Sequence, residues 1–149
     1  MIVKYIKVVL LLIVSVFFLA CEKKDQSGPA KIHWDRDMCS RCVMVVSDRK
    51  NTVQIKNPDT FKTYMFDDIG CTILWFDEEN IEWADRAIIW ITDVDTGELI
   101  DARKAFYDTN NVTPMAYGFS AHKTKEAIKQ GEEIISYEEV VKRVKKIGQ

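Results

Sequence analysis

Four sulfur-bearing side chains lie within seven residues near the start of the chain: Met38, Cys39, Cys42 and Met44. Thiolates and thioethers are soft donors, which select Cu(I), Zn(II) or iron–sulfur centres. The surrounding segment, residues 37–48, reads D-M-C-S-R-C-V-M-V-V-S-D and mixes polar with apolar residues. The segment is therefore a candidate metal site, redox pair or piece of hydrophobic core.

Three interpretations of this segment involve no copper. Methionine and cysteine are common core residues, and three valines lie close by in the sequence. Cys39 and Cys42 have the CxxC spacing of thiol–disulfide oxidoreductases, but those enzymes place the first cysteine at a helix N-terminus, and the residues after Cys42 favour a strand. A zinc site needs four ligands, which Cys39, Cys42, Cys71 and either His33 or His122 could supply.

The fourth interpretation is a Cu(I) site, because Cu(I) accepts few ligands and takes both thiolates and thioethers. In a strand, Cys42 and Met44 would point to the same face, within reach of one ion. Cys39 lies just before them and is a candidate third ligand or disulfide partner. Further candidate ligands, in order of preference, are Met115, His122 and Cys71.

The N-terminal residues have the pattern of a bacterial lipoprotein signal. Two lysines precede an apolar run over residues 8–20, which is short for a transmembrane helix, and Cys21 follows at once. We predict that Cys21 carries a lipid that anchors the protein in a bacterial membrane, facing the periplasm. An uncleaved N-terminal anchor is the alternative, and it also places the domain outside the cytoplasmic membrane.

These features divide the chain into a signal peptide (residues 1–20), a lipidated tether (residues 21–32) and a copper-binding domain (residues 33–149). With Cys21 lipidated, three cysteines remain, and an odd number argues against a framework made only of disulfides. The net charge of −2 and the lack of a basic stripe argue against a nucleic-acid partner.

The hydrophobic pattern predicts a small α+β domain with an antiparallel or mixed sheet and helices packed on it. A hairpin within residues 53–66 precedes a helix for which Asp67-Asp68 offers the N-cap, and a last helix begins at Ser136 with Glu139 in the capping-box position. The order of elements indicates two similar ββα-type halves. Strands are predicted at 44–47, 53–56, 60–66, 87–92, 98–101, 105–107, 115–121 and 133–136, and helices at 69–80, 124–130 and from 136 to about 146.

Several motifs occur in the order typical of the NosL family, whose members are nitrous-oxide-reductase accessory lipoproteins. After the sulfur segment come F-D-D-I-G-C, W-I-T-D-V, I-D-A-R-K-A-F-Y, T-P-M and E-I-I-S-Y-E-E-V. The chain resembles the family over about residues 34–144. Two glycines of the family pattern are absent: C-x-x-C-G-M has its Gly where this chain has Val43, and P-M-G has its Gly where this chain has Ala116.

The resemblance implies a lipid-anchored periplasmic copper chaperone rather than an enzyme. Such a protein would bind Cu(I) and deliver it, with an ABC transporter and scaffold proteins, to the copper centres of nitrous oxide reductase in denitrification. It also implies an α+β fold with two ββα-type halves, in agreement with the pattern above. The alternatives are a thiol–disulfide oxidoreductase that uses Cys39 and Cys42, and a non-catalytic structural lipoprotein.

Overall fold

The computed structural model describes residues 27–148. This part of the chain contains six short strands, two α-helices and two 3₁₀ turns. In chain order the strands and α-helices are β1 (Val53–Lys56), β2 (Thr63–Phe66), α1 (Ile69–Glu78), β3 (Ile88–Thr92), β4 (Leu99–Asp101), β5 (Phe106–Asp108), β6 (Ser120–His122) and α2 (Tyr137–Ile147). The predicted signal peptide, the lipidation at Cys21 and the first part of the predicted tether lie outside the described residues.

The first four strands form an antiparallel sheet in the order β2-β1-β3-β4. Strand β1 pairs on both sides and is buried along its whole length, with Val53 opposite both Phe66 and Ile91. Strands β5 and β6 form a second antiparallel pair. A parallel bridge between Asp93 and Ala121 joins the two sheets just after β3 ends.

Both helices begin at the caps that the sequence predicts. The Asp68 side chain accepts a hydrogen bond from the backbone N–H of Gly70 at the start of α1, and the Ser136 hydroxyl accepts one from the N–H of Glu139 at the start of α2. Helix α2 buries Val140 and Val144 on one face. The two helices cover the larger sheet and the second strand pair, and the shared core contains Ile55, Phe66, Ile69, Ile73, Ile91, Tyr107, Val140 and Val144.

The observed order confirms the predicted α+β class with two ββα-type halves, which are β1-β2-α1 and β5-β6-α2. The sheets are antiparallel and the helices pack on them. Within residues 27–148, no helix combines the length and apolar character that a membrane span needs. The end of the predicted tether lies against the larger sheet, because Ala30 and the buried Gln54 exchange two hydrogen bonds.

Several predicted elements are shorter than expected or wrong. The strand predicted at 44–47 is a single bridge between Met38 and Val45. The helix predicted at 124–130 is one 3₁₀ turn, Lys125–Ala127, because so short a segment cannot offset the cost of helix nucleation. The strand predicted at 133–136 is one bridge between Tyr107 and Ile135, since α2 begins directly afterwards. Of residues 115–121, only the last two are in β6.

Gly70 allows an aromatic ring to lie against the first turn of α1. A Cβ atom on Gly70 would overlap the Tyr117 ring, and Gly70 itself is buried. Tyr117 belongs to the loop that carries Met115, whose backbone N–H donates to the Asp68 carboxylate at 3.2 Å. Because Gly70 has no side chain, the Tyr117 ring can pack on it, and the loop lies against the N-terminus of α1.

We expect Gly70→Ala to destabilise the protein by about 1–3 kcal/mol through overpacking, although alanine is otherwise the better helix former. Chemical denaturation of the two proteins measures the difference. In a Tyr117→Ala background the same Gly70→Ala change should become neutral or stabilising, because the ring that it displaces is gone. An equal loss in both backgrounds would show that Tyr117 is not the reason for glycine at this position.

Candidate metal centre

The sulfur segment folds as a small hairpin, not as a strand that continues past its cysteines. Backbone hydrogen bonds join Asp35 and Asp37 to Val46, and the N–H of Cys39 donates to the carbonyl of Met44 at 2.8 Å. We call the connection between them, residues 39–44, the sulfur loop. A tight turn closes it, with the Val43 N–H donating to the Cys39 carbonyl at 3.0 Å.

The sulfur loop is fixed to the rest of the domain on two sides. The N–H of Ser40 donates to the carbonyl of Met65 in β2 at 2.8 Å. The Arg41 guanidinium makes two hydrogen bonds to the Glu78 carboxylate, at 2.7 and 2.9 Å, and a longer one of 3.4 Å to the Tyr117 hydroxyl. A bidentate guanidinium–carboxylate pair restricts orientation as well as distance. These contacts hold the loop along α1, between β2, which precedes the helix, and Glu78, its last residue.

Four potential metal ligands meet where the sulfur loop reaches α1: Cys39, Cys42, Asp67 and Cys71. One ligand atom from each lies within 4.8 Å of the other three. Because a metal–thiolate bond is about 2.3 Å long, two sulfurs on one ion can be no more than about 4.6 Å apart. The group therefore needs only small side-chain shifts to hold a single ion.

Asp67 is the member of this group that most directly indicates a cation. It is buried, and its Oδ2 accepts a hydrogen bond from the Cys42 thiol at 3.3 Å. Its Oδ1 has no hydrogen-bond partner within the described residues. A buried carboxylate oxygen without a partner is costly, and a bound cation between it and the sulfurs would remove that cost.

The three thiols differ in how readily they ionise. The Cys71 thiol and the backbone N–H groups of Arg41, Cys42 and Asp67 donate hydrogen bonds to the Cys39 sulfur, and together they lower the pKa of Cys39 to about 6 against the opposing effect of burial. Burial raises the pKa of Cys42 to about 12. The hydrogen bond to Cys39 raises the pKa of Cys71. The metal-free group therefore holds one thiolate, on Cys39, and two thiols.

The structure separates the residues that the sequence analysis proposed as ligands. Cys39 and Cys42 belong to the group, and the three cysteines of residues 27–148 form no disulfide. The same-face argument for Cys42 and Met44 is wrong in its premise, because Val43 has a φ of 60° and turns the chain between them. Met44 is 48% exposed at the end of the loop.

Within residues 27–148, only Met115 of the other predicted ligands has a backbone contact next to the cysteine group. Met115 is partly buried, and its backbone is hydrogen-bonded to Asp68, the neighbour of Asp67. His122 belongs to a separate group of potential ligands with Asp93 and Asp95. His33 is exposed and pairs with Asp37, so the Cys₃His zinc set considered above is not assembled. Whether Met44, Met115 or His122 binds metal stays a prediction.

Sequence reasoning overlooked Asp67 and ranked Cys71 too low. The sequence predicts only a helix cap at the pair Asp67-Asp68, and in the structure Asp68 alone supplies that cap. Cys71 lies in the first turn of α1, directly after that cap, so a carboxylate before the cap and a thiol just after it approach the same point. This D-D-x-x-C pattern was the available signal, but only the fold shows that the sulfur loop lies opposite.

Comparison with known proteins supports the fold but provides no close relative. No protein-family model and no curated protein matches the sequence. Among solved structures, the chain is similar to the crystal structure of the copper chaperone NosL from Shewanella denitrificans, with a TM-score of 0.57 and 15% sequence identity over 74% of this chain and 94% of that one. The fold that the sequence resemblance implied is therefore confirmed.

The backbone has a left-handed conformation at both positions where the NosL pattern has glycine. Val43 and Ala116, which replace the glycines of C-x-x-C-G-M and P-M-G, both have a φ of 60°. This left-handed conformation is accessible to glycine but costs other residues about 1–2 kcal/mol, and it is least favourable for β-branched side chains. The chain therefore keeps a glycine-type backbone at both places without the glycine.

We expect Val43→Gly to raise the free energy of unfolding by up to about 1 kcal/mol, because it relieves this strain and the Val43 side chain is 67% exposed. Chemical denaturation of the metal-free protein provides the measurement. Val112→Gly is the matched control: Val112 is 99% exposed, in a loop, and its φ is not positive. Val112→Gly should destabilise the protein by about 0.4–1 kcal/mol. Loss of stability in both variants would show that the backbone at Val43 is not strained.

The lowered pKa of Cys39 predicts a thiolate that persists well below the ordinary thiol value of 9.0. In anaerobic, metal-free protein, the ultraviolet absorbance of one thiolate should disappear as the pH falls through about 6, and Cys39→Ser should remove that step. Because the folded pKa is lower than the ordinary value, the contribution of this group to stability is complete above pH 9 and is lost as the pH falls through 6. A first thiolate that appears only above pH 8 would contradict the assignment.

Proposed function

We propose that the protein is a non-enzymatic copper chaperone that binds Cu(I) at the group formed by Cys39, Cys42, Asp67 and Cys71. The observation that carries the proposal is the convergence of these three thiols and one carboxylate within 4.8 Å. The similarity in fold to a copper chaperone supports it. Thiolates are the protein ligands that favour Cu(I) most strongly, and Cu(I) needs only two or three of them.

The charges of the metal-free group suit a monovalent cation. Cys39 is the thiolate that receives the ion first, and binding then displaces the proton of Cys42 or Cys71. Two thiolates on one Cu(I) leave a net charge of −1 next to Arg41, whose guanidinium hydrogen-bonds Cys71 and Glu78.

The exposure of the sulfur loop supports a carrier over a structural metal site. Cys39, Asp67 and Cys71 are buried, but Cys42 is partly exposed, and Met44 at the end of the loop is about half exposed. A thioether needs no deprotonation to bind Cu(I), so Met44 is suited to take part as the ion enters or leaves. Met38, Val43 and Val45 surround it with further exposed apolar surface, which a receiving protein can cover.

The same geometry argues against the thiol–disulfide oxidoreductase alternative. Such enzymes attack with an exposed thiolate at a helix N-terminus. Here the low-pKa thiol is Cys39, which is 2% exposed, and residues 40–42 form a turn rather than the start of a helix. A buried thiolate can bind an ion that reaches it, but it cannot easily attack a disulfide of another protein.

The client and location complete the proposal. We propose that a lipid on Cys21 anchors the protein to a bacterial membrane on the periplasmic side. There it delivers copper to an extracytoplasmic enzyme, nitrous oxide reductase, with an ABC-transporter and scaffold assembly as partner. The motifs shared with the NosL family, together with the signal-like N-terminus, support this part of the proposal.

Anaerobic titration of the protein with Cu(I) against a competing chelator tests the binding. We expect one tightly bound ion per chain. Affinity should fall by more than about 100-fold in Cys39→Ser and in at least one of Cys42→Ser and Cys71→Ser, since removal of a ligand exceeds the effect of removing a supporting group. Met44→Leu should slow transfer of Cu(I) to metal-free nitrous oxide reductase with a smaller change in affinity. Met65→Leu is the matched methionine control: it keeps the backbone carbonyl that accepts from Ser40, and its side chain alternates with those of Tyr64 and Phe66, which pack on α1.

Two results would contradict the proposal in different ways. Cu(I) affinity that is unchanged in all three cysteine variants would exclude the site. Reduction of insulin disulfides that requires Cys39 and Cys42 but not Cys71 or Met44 would instead indicate the oxidoreductase.

A further inference from the structure

A second group of potential ligands lies where the two sheets meet. Asp93 and Asp95 follow the end of β3, and His122 is the last residue of β6. One ligand atom from each lies within 4.8 Å of the other two. The backbone joins the same two segments, because the Val94 N–H donates to the Ala121 carbonyl at 2.9 Å.

Both ring nitrogens of His122 face carboxylate oxygens. Nδ1 is 2.7 Å from Oδ2 of Asp95, and Nε2 is 3.2 Å from Oδ2 of Asp108. His122 is 5% exposed, and Nε2 has no well-aligned hydrogen-bond partner within the described residues. An imidazole with a hydrogen on Nε2 presents the lone pair of Nδ1 to the aspartates, and a metal ion between them would use that lone pair as a ligand.

We propose that Asp93, Asp95 and Nδ1 of His122 bind a divalent cation of the zinc type. In this arrangement the metal takes the place between Nδ1 and the two carboxylates, and a small rotation of the ring would align Nε2–H with the Asp108 oxygen, which is 3.2 Å away. A carboxylate behind the far nitrogen of a histidine ligand is the usual support of such sites, because it fixes the tautomer and the ring orientation. Asn111 in turn donates to the other oxygen of Asp108 and holds that carboxylate in place.

Hydrogen bonds hold Asp93 in this group, and the neighbouring lysine does not pair with it. Asp93 is buried and held in position by the Thr96 hydroxyl at 2.7 Å and by the backbone N–H of Lys123. Lys123 follows His122 directly in the sequence but directs its ammonium to Glu98 at 3.3 Å. Asp95 is partly exposed, so an ion can enter from solvent on its side.

The donor set determines the class of cation. Calcium and magnesium prefer ligand sets made only of oxygen, whereas one imidazole nitrogen with two carboxylates suits zinc and its first-row neighbours. The site contains no sulfur, so it would not compete with the cysteine group for Cu(I). Because its ligands come from both sheets, a bound ion would tie β3 to β6 and stabilise the domain.

Titration of the full chain with Zn²⁺ tests the proposal, with all four cysteines replaced by serine so that no thiol binds the metal. We expect one Zn²⁺ per chain, a higher melting temperature with zinc, and no such effect of Mg²⁺. Asp95→Asn and His122→Gln should each weaken binding by more than about tenfold, and Asp108→Asn by about 10–100-fold through loss of ring orientation. Glu132→Gln, which removes an exposed carboxylate outside the group, is the control and should change nothing.

A second measurement uses the chain with its cysteines intact, in case the cysteine-free protein does not fold. Zinc should shift the Nδ1 resonance of His122 to the position of a metal-bound nitrogen, and Asp95→Asn should abolish the shift. Absence of stoichiometric binding, or binding that is unchanged in the Asp95 and His122 variants, would overturn the proposal. Neither result depends on Cu(I) binding, so the two sites are tested separately.

Discussion

The contact between the sulfur loop and the first turn of α1 is the constraint on which the candidate copper site depends. The loop alone supplies two thiols at the end of a hairpin. The third thiol and the carboxylate come from the other side of this contact, from Cys71 and Asp67. Their separation is set by the Ser40–Met65 hydrogen bond, by the Arg41–Glu78 pair and by the ring of Tyr117 against Gly70. Loss of any of these would separate the donors without removing one of them.

Hydrogen bonds among the donors make this contact stable in the absence of metal. The Cys71 thiol donates to the Cys39 sulfur, and the Cys42 thiol donates to Asp67, so protons occupy the positions between donors that an ion would take. Buried polar groups are tolerated when they are paired in this way. The metal-free site is therefore already assembled, and binding exchanges protons for the ion with little rearrangement of the backbone. Because the backbone would move little, the proposed carrier would take up and release its ion quickly.

How much of this could be predicted from the sequence depends on the range of each interaction. The β1–β2 hairpin and the caps at Asp68 and Ser136 were predicted correctly, because turn and capping residues act on their immediate neighbours. The strand after Cys42 was predicted from three valines, and the prediction failed because the turn at Val43 is fixed by contacts with β2 and α1. Asp67 could not be recognised as a member of the site, since its partner Cys42 lies in a segment that only the fold brings near.

The two groups of ligands differ in donor chemistry and in position, and these differences are linked. The sulfur group lies where a loop meets a helix, with one side open to solvent, so that an ion can be passed on. The group around His122 lies at the seam of two sheets, and its ligands are carried by backbone segments that are already hydrogen-bonded to each other. A soft ion held by an exposed loop can leave, whereas a borderline ion held between two sheets would be retained. If both proposed sites bind their ions, the separate donor sets would allow one small domain to carry one ion while another stabilises the fold.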